Sequence, residues 1–355
     1  MLVPLFALVS LGLGSQGPSF SVQADERRHE VVLRLGPFPL PANEPEHRHE
    51  GDEPSMDMMA HAHGPSLPAY RFRWPVAGWA RGFRVEIQDP AGHPLSRRLL
   101  HHVNLDHLGR RALAFPMFEK TMAAGQETDA VMLPKSVGVR IEKGDDMALA
   151  SMWTNETEPD LPAVVMIIRI KYLPDNTVPR PVDVRPLTMD IGFRPGLTAS
   201  FDLDTGKQEL RREFVFPVDG RLLGLGGHLH DYGQWIELRD GKSGKVLVTL
   251  KGKQAKDGKL LGVTRKLLGV SGNGLRIRAG YPYLVVASYH NPTGRRLKLG
   301  GMAALGGIFT ADDPGKWPPL DRTDPIYLAE MDALGEAGWV VVPESGTTPP
   351  PAKRN

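Results

Sequence analysis

Glycine and proline punctuate this chain too closely for most helical architectures. With 39 Gly and 32 Pro among 355 residues, a fifth of the positions carry a residue that disfavours a helix interior. Such a sequence does not suit a bundle of long helices, but it suits many short strands joined by turns. The runs between turn pairs have that texture. Residues 82–88 precede Asp89-Pro90, 98–105 are apolar and polar in alternation, and 163–172 precede Pro174-Asp175. A second series runs from Thr198 to Thr310 and includes 222–230, 235–239, 283–290 and 297–305, with the Pro-rich passage 176–186 between the two. The expected fold is all-β: two tandem antiparallel β-sandwiches, jelly-roll-like, over 69–180 and 181–312. They are flanked by an N-terminal segment, 25–68, and a Pro-rich tail, 313–355, with one short helix near 326–334.

The remaining composition excludes several functions. Lys and Arg number 43 against 41 Asp and Glu, without a basic run, which gives no footing for nucleic acid. Cysteine is absent, so disulfides, thiolate nucleophiles, iron–sulfur clusters and Cys-ligated zinc are excluded. Metal chemistry must use the 12 His, the 13 Met and the carboxylates. At the start, residues 2–14 (LVPLFALVSLGLG) form an apolar run too short to span a bilayer, and Val22-Gln23-Ala24 is a small-residue site. A signal peptide over 1–24, cleaved before Asp25, is expected, making the protein secreted or periplasmic; the alternative is a buried N-terminal strand. No integral membrane segment is expected in the mature chain.

The histidines are clustered. His47 and His49, and His61 and His63, stand as i, i+2 pairs in the polar segment 41–68, with Met56, Met58 and Met59 between them. Thioether and imidazole together suit copper, while a solvated linker is the plainer reading. His228 and His230 sit in a Gly-Gly-His-Leu-His-Asp sequence. On a strand they share a face and can reach one metal ion while Leu229 points into the core, with Asp231 a candidate partner for a ring N–H. His101 and His102 are adjacent, so joint ligation requires a β-bulge or a strand end there. His107 is expected on a surface loop. The two halves also repeat: Arg140-Ile141, Gly144 and Asn155 recur, each 136 positions later, as Arg276-Ile277, Gly280 and Asn291. The same offset carries Trp153-Thr154-Asn155 onto Tyr289-His290-Asn291.

Leu100-His101-His102-Val103 in the first half and Gly227-His228-Leu229-His230 in the second resemble the copper type II, ascorbate-dependent monooxygenases, such as peptidylglycine alpha-hydroxylating and dopamine beta-monooxygenases. The resemblance spans about 71–310. It implies two β-sandwich domains each carrying a copper ion, the first held by a His pair and a third His, the second by His-x-His and a Met. On this chain Met152 stands where the third histidine is expected, and Met302 or His290 would complete the second set. The implied chemistry is hydroxylation of a C–H bond of a small-molecule or peptide substrate by O2, with ascorbate or a similar reductant. Two other readings stand beside it: a copper storage, delivery or sensing protein without turnover, and a structural sandwich module.

Overall fold

Apolar and polar residues alternate along most strands, and this period of two sorts them into two sandwiches. The computed structural model describes residues 18–43, 67–156, 159–269 and 273–344. In the first sandwich, a seven-stranded sheet runs β1 (Phe20–Asp25), β2 (Glu30–Leu40), β10 (Leu161–Pro174), β4 (Gly78–Gln88), β8 (Val137–Ile141) and β11 (Val182–Asp183), with β7 (Val131–Met132) also on β4. Facing it is a five-stranded sheet in the order β24 (Trp339–Val341), β3 (Ala69–Arg73), β9 (Asp146–Trp153), β5 (Leu100–Arg111) and β6 (Phe118–Gly125). Leu33, Ile168 and Val139 from one sheet meet Tyr70, Val103 and Leu149 from the other in a single core.

The second sandwich packs two five-stranded sheets. One is β12 (Arg185–Asp190), β23 (Ala303–Ala311), β15 (Gly220–Leu229) and β19 (Lys266–Leu267), with β20 (Leu275–Ile277) also on β15. The other is β14 (Gly206–Val215), β21 (Pro282–Asn291), β16 (Gly233–Asp240), β17 (Val246–Gln254) and β18 (Leu260–Val263); a two-stranded pair, β13 (Phe201–Leu203) and β22 (Leu297–Gly301), lies beside them. The protein is therefore all-β and built of sandwiches, as the Gly/Pro spacing and alternation indicate. A short helix, α1 (Pro325–Leu334), begins at Asp324, whose carboxylate accepts from the Ile326 N–H. No helix among the described residues is long and apolar enough to cross a membrane.

The repeat seen in the sequence is a repeated device. Gly144 and Gly280 both take positive φ, and their N–H groups donate to Trp74 and Phe216 carbonyls. Asn155 and Asn291 are both buried. Each side-chain amide donates to the carbonyl four residues on, Pro159 and Arg295, and to one distant carbonyl, Leu40 and Leu203. Each asparagine thus closes the end of its strand onto a neighbouring segment.

Three segments outside 69–312 join the sheets of the first sandwich. Cleavage after Ala24 would remove β1, whose Phe20 and Val22 lie in the first core. Residues 30–40 are likewise integral, since β2 pairs with both β1 and β10. The C-terminal tail returns to the first sandwich, where β24 pairs in parallel with β3. The two sandwiches meet at 182–190, where β11 pairs with β8 of the first and β12 opens the second. They are not loosely strung, because Leu113, Phe115 and Met117 from the β5–β6 turn pack in the second core.

Candidate metal centre

On β15, Leu225 and Leu229 are buried in the second core, which turns Gly224, Gly226 and His228 to the opposite face, toward the first sandwich. His230, just past the strand, keeps that direction, and its ring centroid is 5.2 Å from that of His228. Tyr289 fixes the strand end from beneath: its hydroxyl accepts from the His230 N–H at 3.2 Å and donates to the Met302 carbonyl. Burial holds that hydroxyl protonated well above its usual range. Tyr232 then takes a φ of 68°, and the chain turns away into β16.

The first sandwich supplies the other pair. The pairing of β5 with β9 slips between Leu100 and His102, which is the irregularity that adjacent histidines need in order to face one centre. Their ring centroids are 4.0 Å apart, and those of His101 and His102 lie 5.2 and 5.7 Å from His230. Nε2 of His102 is 3.1 Å from Nε2 of His228. His101, His102 and His230 each offer a ring nitrogen, all within 4.8 Å of one another. Met152, on β9 opposite His102, brings its sulfur 3.2 Å from Nδ1 of His101 at the exposed rim. The expected separate site in each sandwich is replaced by one cluster between them.

Glu127 is the residue that sequence reasoning missed. Its carboxylate lies 2.7 Å from Nδ1 of His228, reaching across from the first sandwich. Asp231, expected in that part, instead accepts from the Leu260 N–H at 2.7 Å and pairs with Arg98. Gly125, opposite His102 on β6, leaves the space through which the Glu127 carboxylate folds back; a Cβ there would collide with it. Burial alone would push the His228 imidazolium pKa down, but the charge and hydrogen bond of Glu127 outweigh it and raise it. Conversely, burial raises and His228 lowers the Glu127 pKa, leaving it below the usual carboxylate range. With Nδ1–H committed to Glu127, the Nε2 lone pair of His228 is directed at the cluster, as a carboxylate-oriented ligand requires.

Other expected residues fall elsewhere. His290 is exposed on β21, next to the buried Tyr289 and hence on the other face, so it does not complete the set. Met302 lines the cleft beside His102 and His228. His107 is buried on β5, with Nε2 2.9 Å from Asp145, and is neither surface nor ligand; burial lowers its pKa. His47, His49, Met56, Met58, Met59, His61 and His63 lie outside the described residues. A cleft of about 500 Å³ between the sandwiches has His102 and His228 in its wall.

The nitrogen spacing fits an ion. Two imidazoles bound to one ion at about 2.0–2.1 Å have their nitrogens roughly 3 Å apart, and His102 and His228 already stand 3.1 Å apart. Imidazoles with a thioether at the edge are the donor set that copper accepts in either oxidation state.

No family model matches the chain, and no curated protein does. Similar solved structures include the major capsid protein P2 of bacteriophage PM2, with a TM-score of 0.34 and 10% identity over 80% of this chain and 98% of that one. A structure of Sulfolobus turreted icosahedral virus gives 0.34 and 9%, over 76% and 93%. PNGF-II gives 0.36 and 8%, over 79% and 66%.

Proposed function

We propose that the protein binds copper between its two sandwiches and uses it, with O2 and ascorbate or a similar small reductant, to hydroxylate a C–H bond of a molecule held in the adjoining cleft. The balance is one O2, two electrons and two protons with R–H, giving R–OH and water; the two electrons come from the reductant. One observation carries the reading: His102 and His228 approach to 3.1 Å while Glu127 occupies the other nitrogen of His228. Copper supplies the redox chemistry when bound. The chain's own residues hold His228 in one tautomer, set His101 and His102 on a bulge, and open the cluster onto the cleft. One or two ions are compatible with four imidazoles and Met152. The apolar run at 2–14 supports export to an extracellular or periplasmic space, with cleavage ahead of Pro18 so that β1 is retained.

A second reading, copper delivery without turnover, is favoured by the pairing of Met152 with His101 at the exposed rim, where a soft sulfur is accessible to a partner. The test combines copper stoichiometry with reductant-dependent O2 consumption. His228→Ala/His230→Ala and His101→Ala/His102→Ala should each abolish tight copper binding, because both pairs serve one centre. Retention of one full copper site by either double variant would sink the shared-centre reading. Full copper loading with no O2 consumption above free copper would leave delivery as the function.

A further inference from the structure

The cleft floor has almost no side chains. Gly226 on β15, and Ala304 and Gly306 on β23, lie side by side, with Gly226 paired to Gly306 and His228 paired to Ala304. A Cβ on Gly306 would meet nothing within 4 Å, and one on Gly226 would make only ordinary contacts, with Arg265 Cγ at 3.7 Å and the Gly306 carbonyl at 3.9 Å. Neither glycine has a positive φ, so the backbone does not demand glycine at either position. The space above them is open to a ligand, next to His228. At the mouth, Met132 and Leu267 expose more than half of their surface, an apolar entrance to an apolar floor.

The cleft lining carries charges of both signs, Lys120, Arg265 and Lys266 with Glu127 and Asp190. Lys120 is on β6, and its ammonium forms no ion pair with any described residue. It lies near enough to Asp106, Asp190 and His228 to influence their protonation. Asp190 is already engaged by the Gly192 N–H at 2.9 Å. Thr121, the bulged residue beside Lys120, belongs to the same wall. Asp190 and His228 are aligned across β23, two strand spacings or about 10 Å apart.

We propose that the cleft binds an amphipathic carboxylate, its apolar body lying on the Gly226–Ala304–Gly306 floor against His102 and His228 and its carboxylate held by Lys120. A volume of about 500 Å³ suits a molecule of this size. The assignment rests on the metal reading for the chemistry done on that body, but not for its binding.

The test is calorimetric titration of the full chain, metal-free and copper-loaded, with octanoate, 1-octanol and octylamine. Octanoate should bind tightest. Lys120→Met should weaken octanoate about tenfold, the effect of one lost charge-assisted contact, and leave 1-octanol within twofold. Gly306→Leu should abolish binding of both while melting with wild type and keeping its copper; Gly226→Leu serves as the second blocking variant. Octanoate binding unaffected by Lys120→Met and by both leucine variants would overturn the proposal, as would octylamine binding as tightly as octanoate or no octanoate binding in either form. Octanoate binding as described in a chain that takes no copper would support the cleft and refute the metal centre.

Discussion

Glu127 shows how one side chain can govern a centre it does not enter. Its hydrogen bond fixes the His228 ring and leaves Nε2 facing His102. Glu127→Gln should weaken copper binding about 10–100-fold, the usual cost of losing such a partner, without abolishing it. Competition against a chelator of known affinity checks this; an unchanged constant would reduce Glu127 to a buried structural carboxylate. Asp106 is a second informative residue. It is fully buried on β5, and burial pushes its pKa up to about 7 despite the nearby Lys120. The unfolded chain ionises it at about 3.9, so between roughly pH 4 and 7 the folded state binds the extra proton. This acid therefore costs stability most above pH 7, and progressively less as pH falls through 7 toward 4. Asp106→Asn should accordingly raise the melting temperature at pH 8, and the gain should shrink by pH 5. A gain that grew with falling pH would contradict the assignment.

At the scale of elements, local pattern was the readable part. The i, i+2 spacing placed His228 and His230 on one face with Leu229 in the core, and the adjacency of His101 and His102 required the irregularity found between Leu100 and His102. The asparagine closures were visible as a spaced repeat. Strand β1 was obscured because Val22 and Ala24 satisfy two patterns at once: alternate residues on one strand face, and small residues ahead of a cleavage point. A chain starting at Asp25 should thus be less stable than one starting at Pro18. Loss of the buried Phe20 alone is worth about 3–5 kcal/mol. Urea melts of the two chains decide the point, and equal midpoints would make β1 dispensable. The convergence of both histidine pairs on one centre was not legible, since it depends on how two sandwiches dock. Glu127 was hidden for the same reason: it lies 101 positions from His228, and no spacing rule connects them.

Across the whole molecule, the centre and the cores act together. Leu113, Phe115 and Met117 carry the β5–β6 turn into the second core, Arg185 from β12 reaches back to the buried Glu119, and Arg265 donates to carbonyls at Asp129 and Ala130. An ion held by His102 and His228 adds a further tie across the same boundary. Copper at about 100 times its dissociation constant should add roughly 2.7 kcal/mol to stability. It should also raise amide protection on β5 and β15 together, reversibly with chelator. Protection confined to one strand would place the ion within one sandwich. The split origin of the ligands has a temporal consequence as well. During synthesis, a chain that has emerged only as far as residue 180 owns His101, His102 and Met152 but not the imidazoles that face them. If the cluster takes copper as proposed, full coordination would come only after residue 230 is made and the halves have docked, so a clipped or half-finished molecule would stay redox-silent and loading would report a complete tertiary structure.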